Sequence, residues 1–112
     1  MTNYIFIESR DPFESRDTQF VEETAMALKQ RGNQVTVFLV QNGVLACRRK
    51  AQDPYLATLA GLVKAGITLL ADDFSLSERG IRSEDLVHGV RPANIEFLVE
   101  ALVQINTKAI WH

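Results

Sequence analysis

The sequence is short of several things at once, and each shortage removes a class of function. It has one cysteine, Cys47, so no internal disulfide can form; a lone thiol fits a reducing compartment or a reactive role. No apolar run approaches the ~20 residues that span a bilayer, and Met1-Thr2-Asn3 leads into a strand pattern without a charged-then-apolar leader. A cytoplasmic protein with no membrane partner is expected. Basic residues are not in excess: 12 Lys and Arg stand against 14 Asp and Glu, a formal charge of -2, so no basic field invites direct contact with nucleic acid. The two histidines, His88 and His112, are isolated in sequence, and no Cys/His cluster has metal-ligand spacing, so no metal is expected. Neither G-x-G-x-x-G nor G-x-x-x-x-G-K-[ST] is present, which argues against dinucleotide and nucleotide phosphate loops; no cofactor is expected.

What is there reads as one α/β domain over residues 1–112. A chain of 112 residues with 46% hydrophobic and 23% charged residues has the length and balance of one globular core. Asn3–Glu8 is a short aromatic and β-branched run and reads as a buried strand. Asp11-Pro12 is a cap followed by a first-turn proline, and a helix is predicted from about Phe13 to Arg31, closed by Gly32. Gln34–Val40 is nearly continuous in apolar residues, as a parallel strand covered on both faces should be.

Gln41-Asn42-Gly43 marks a turn, with Gly43 expected to take an angle other residues avoid, and Val44–Lys50 reads as a short helix. Asp53-Pro54 opens a helix over Tyr55–Lys64, and Ile67–Ala71 is a third strand. Ser75 and Glu78 have capping-box spacing for one helical turn ending at Gly80. Ser83-Glu84-Asp85 starts another short helical piece, and His88-Gly89-Val90 suggests a brief strand. Ile95, Leu98, Val99, Leu102 and Ile105 form the stripe of a helix over Pro92–Thr107. Lys108–His112 is a closing strand. This alternation predicts a three-layer α/β/α sandwich around a mainly parallel sheet of about five strands; fold analogy places the first strand between the second and third.

In such sheets ligands gather beyond the carboxyl ends of the strands, here Ser9–Pro12, Gln41–Gly43 and Ala71–Asp73. Gln41, Asn42, Gly43, Asp72, Asp73 and Arg79 are the candidate ligand-binding residues. The plainer alternatives are that the aspartates cap the next turn and that Arg79 neutralises helix carbonyls. Cys47 is the candidate catalytic residue and reads two ways. In the first turns of a helix beside Arg48, Arg49 and Lys50, its thiolate would be stabilised. Equally, a free cysteine between Val44 and Ala51 is a small apolar residue that packs a helix onto the sheet. Trp111 in a terminal strand suits a core or a subunit interface.

Two segments carry a resemblance. Phe38-Leu39-Val40-Gln41-Asn42-Gly43-Val44 resembles the strand-then-Gly-Val signature of DsrE, DsrF and their sulfur-relay relatives. Ser75-Leu76-Ser77-Glu78-Arg79-Gly80-Ile81 is similar to the Ser/Ala-Leu-x-x-Arg-Gly stretch those proteins carry after the third strand. The resemblance implies a small subunit of a homomeric or heteromeric trimer or hexamer in intracellular sulfur trafficking, exchanging persulfide sulfur with carrier proteins. It also implies a persulfide cysteine three residues before Ser75. That position holds Asp72, and a carboxylate cannot attack or release sulfane sulfur. A non-canonical member lacking the usual persulfide is therefore expected. The alternative is a small-ligand or scaffold module using the same crevice without catalysis.

Overall fold

The computed structural model describes residues 2–11, 18–48 and 55–112. Five strands form one sheet: β1 (Asn3–Glu8), β2 (Gln34–Leu39), β3 (Thr68–Asp72), β4 (Val90–Ala93) and β5 (Thr107–Trp111). Every neighbouring pair is parallel, and the order is β4-β3-β2-β1-β5. The expected placement of β1 between the second and third strands is therefore corrected: β3 lies beside β2, and β5 takes the other flank of β1. The order runs outward from β1 to β4 and then returns to β5, so the reversal point lies between β1 and β5.

Pleat alternation divides the core in two. Phe6, Val37, Leu39, Leu69 and Ala71 face one side, where helices α1 (Thr18–Gln30) and α2 (Tyr55–Lys64) contribute Val21, Ala25, Leu59 and Leu62. Ile5, Ile7, Phe38 and Leu70 face the other, where helix α4 (Ile95–Leu102) contributes Leu98. Phe6 and Phe38 are fully buried, each contributing roughly 1.5–3 kcal/mol of transfer free energy. The predicted α1 start at Phe13 and the Asp53-Pro54 cap lie outside the described residues. Among the described residues, no helix is long and apolar enough to cross a membrane.

Two segments depart from expectation for physical reasons. The helix predicted from Pro92 starts only at Ile95, because Pro92 belongs to β4. β4 is an edge strand, where a missing N–H costs no ladder bond, and the cap is Asn94, whose Oδ1 accepts the Phe97 N–H at 2.9 Å. Helix α3 covers Asp73–Glu78, and its N-cap is Asp72 rather than Ser75.

Candidate functional site

The carboxyl edge is built on one close approach. The Glu8 carbonyl at the end of β1 accepts the Val40 N–H at 2.9 Å, and a Cβ on Gly43 would overlap that same oxygen. Gly43 is thus required for space. The left-handed angle expected of Gly43 is instead found at Gln41, with φ 51°, and it turns the chain directly from β2 into a 3-10 segment, Gln41–Cys47.

That turn is bonded to the end of β3. The Gln41 N–H donates to Ser75 Oγ at 2.8 Å, and the Ser75 hydroxyl donates to Asp72 Oδ2 at 2.7 Å. The same carboxylate oxygen accepts the Ser75 N–H at 3.0 Å, capping α3. Arg79 closes the group: Nη2 donates to Asn42 Oδ1 at 3.0 Å and Nη1 to the Ser75 carbonyl at 3.1 Å. Gln41, Asn42, Asp72 and Arg79 therefore meet through Ser75. Asp72 is buried, whereas Asp73 is exposed on the first turn of α3. Asp72 spends its bonds on Ser75, and Arg79 ties Asn42 to the Ser75 carbonyl, a shared scaffold for the turn.

Cys47 faces the other way. The segment expected to be a helix over Val44–Lys50 ends as a 3-10 segment at Cys47, and Arg48 already forms an antiparallel bridge to Leu86. Cys47 is therefore at the end of that segment rather than in the first turns of a helix, so it lacks the expected dipole. Its side chain is fully buried in the α1/α2 cluster, and desolvation pushes the thiol up to about 12. Essentially no thiolate exists there at neutral pH. Arg49 and Lys50 lie outside the described residues.

A second polar pair occupies the strand reversal point. Glu8 is 4% exposed, and its Oε2 lies 2.8 Å from Nδ1 of His112, just beyond β5. Glu8 Oε1 accepts the Arg10 N–H at 2.9 Å. The Ser9 N–H and hydroxyl both bond the His112 carbonyl, at 3.1 and 3.0 Å. The Phe20 ring of α1 lies 5.8 Å from the imidazole. His112 is thus held against a buried carboxylate, while His88 is exposed. The pair escapes sequence reading because its members lie 104 positions apart; knowledge of the β1–β5 pairing would have found it.

Beside Glu8, a narrow cavity of about 60 Å³ opens between the sheet and helices α1 and α2, reaching Gly43, Glu22 and Thr58. Desolvation holds the Glu22 carboxyl above its ordinary value, partly offset by its hydrogen bond with Thr58. Among the described residues no three His, Cys, Asp or Glu side chains converge as a metal site requires.

The architecture has solved counterparts. The ychN protein of E. coli superposes with a TM-score of 0.89 at 17% identity, with both chains covered in full. MTH1491 of Methanobacterium thermoautotrophicum, a protein of unknown function, gives 0.85 at 18%, again over all of both chains. BT1422 of Bacteroides thetaiotaomicron, also of unknown function, gives 0.78 at 16%, covering 98% of this chain and 94% of its own. At such identities the likeness speaks for the fold alone. No curated protein matches the chain. The sequence pattern of the DsrE/DsrF-like family matches residues 2–107, and the chain belongs to that family.

Proposed function

We propose that this chain is an oligomeric DsrE/DsrF-like subunit of intracellular sulfur trafficking that handles sulfur held by other molecules and carries none itself. One observation carries the reading: both positions where a persulfide would be sought are buried within the fold. Asp72, where the family's cysteine is expected, is a buried cap bonded to Ser75, and Cys47 is sealed in the core with its thiol held neutral. What remains at the carboxyl edge is a rigid turn at Gln41–Gly43 beside the Glu8–His112 pair. That edge is the docking place for a sulfur-bearing partner.

Assembly is supported by the surface. Trp111, Val103 and Ile105 are 67%, 76% and 86% exposed. An apolar exposed group of this kind suits burial between copies or related subunits. The alternative, a small-ligand module in the same crevice, has less support because Asp72 is already bonded to Ser75, and Arg79 to Asn42 and the Ser75 carbonyl.

The test is transfer of sulfane sulfur from glutathione persulfide to sulfite, followed with and without the chain. Acceleration is expected, and a rate equal to the uncatalysed one removes the proposal.

A further inference from the structure

We propose that Glu8 and His112 form an acid–base dyad, in which His112 Nε2 takes the proton from an acceptor thiol bound at the β1–β5 end of the sheet. The inference rests on the sulfur-handling function proposed above and names the substrate class for that edge.

The geometry fixes the imidazole. A carboxylate accepts hydrogen bonds, so the tautomer that satisfies the 2.8 Å contact to Glu8 Oε2 carries its proton on Nδ1 and its lone pair on Nε2. Glu8 is itself held by the Arg10 N–H and sits at the strand end that Gly43 crowds, so its carboxylate is a positioning group with little room to move. The His112 backbone is pinned at both its N–H, to the Ile7 carbonyl at 2.8 Å, and its carbonyl, to Ser9. The side chain retains 14% of its exposure against 5% for Glu8. With Nδ1 turned onto the buried carboxylate, the opposite edge of the ring is the one left to meet a ligand. This is the base–orienter arrangement that general acid–base sites use, and it occupies the reversal point where parallel sheets bind ligands.

The thiol follows from the function proposed above: an acceptor thiol must lose its proton before its sulfur attacks a persulfide, and a positioned imidazole is a general base for that step. In the step itself, Nε2 accepts the proton of the acceptor thiol and Glu8 stabilises the imidazolium. The thiolate attacks the outer sulfur of a donor persulfide, a new S–S bond forms, and the donor's S–S bond breaks. The donor leaves as a thiolate and recovers the proton from Nε2. No external oxidant or reductant is consumed.

The experiment compares two acceptors for glutathione persulfide. Dithiothreitol is a thiol that must lose a proton; sulfite is largely anionic already and needs no base. In His112→Gln and Glu8→Gln, the thiol-to-sulfite rate ratio should fall at least tenfold, toward the ~10²–10⁴ typical of general acid–base groups. An equal fall with both acceptors, or no fall with either, overturns the dyad while leaving the sulfur-handling function standing. No acceleration by the wild-type chain with either acceptor removes both. Nitrogen-15 NMR of the histidine rings adds a reading that does not depend on turnover: the neutral form of His112 should carry its proton on Nδ1, and a proton on Nε2 overturns the proposal.

Discussion

The backbone carbonyl of Glu8 lies where a side chain on Gly43 would begin. This contact locks the turn after β2 against the end of β1 and holds the two polar groups of the carboxyl edge at a fixed spacing. A methyl group at position 43 must push backbone against backbone, with no flexible side chain to yield. Gly43→Ala should therefore cost about 1–3 kcal/mol, the usual range for overpacking, read as a lowered denaturation midpoint. It should also perturb the NMR signals of His112 through the displaced Glu8. Stability equal to wild type would show that the turn can move aside.

Asp72 serves here as a cap, and its replacements should sort by capping ability. Asp72→Ala removes the acceptor for both the Ser75 N–H and the Ser75 hydroxyl and should cost about 1–2 kcal/mol. Asp72→Asn keeps an acceptor oxygen and should retain most of that stability. Urea denaturation of the two variants checks the order; equal losses would contradict the capping role.

Glu22 gives a pH dependence of defined sign. Its folded carboxyl is raised above the unfolded value of about 4.5, chiefly by desolvation, with Glu23 adding to the rise. The native state therefore binds the proton more tightly, and stability falls as pH climbs from below 4.5 through the raised value. Glu22→Gln should remove that fall and be the more stable form at neutral pH. Thermal midpoints measured from pH 4 to 7 check this, and parallel curves for the two proteins would count against it.

Much of this was legible in the sequence, and the failures have identifiable causes. β1 and α2 were found at their observed limits because continuous apolar runs and a clear end at Lys64-Ala65-Gly66 state their own boundaries. Pro92 misled because proline suits the first turn of a helix and an edge strand alike, and only the sheet order tells which. The stripe predicted from Ile95 to Ile105 overruns the helix, which ends at Leu102 and leaves Ile105 in the following turn; Leu98 alone of those five is buried, because periodicity does not say what covers a face. Cys47 kept two readings because burial is a tertiary property. Glu8 and His112 could not be paired without knowing that β5 returns to β1.

The uncovered residues lead to a prediction about assembly. Val103 and Ile105 follow α4, and Trp111 lies on edge strand β5. If they are buried between copies, Val103→Asp and Ile105→Asp place a charge in an apolar contact and should shift the chain to monomer. Light scattering after size exclusion reads this directly. A wild-type chain that is already monomeric would contradict it.

The central claim is that this subunit handles sulfur without bearing it. Intact-mass spectrometry of the folded, reduced chain after exposure to glutathione persulfide tests it most directly. The account predicts an unchanged mass for the folded protein and sulfur addition at Cys47 only after unfolding in urea, when the thiol leaves the core. A gain of whole sulfur atoms on the folded chain, abolished by Cys47→Ser, would contradict it.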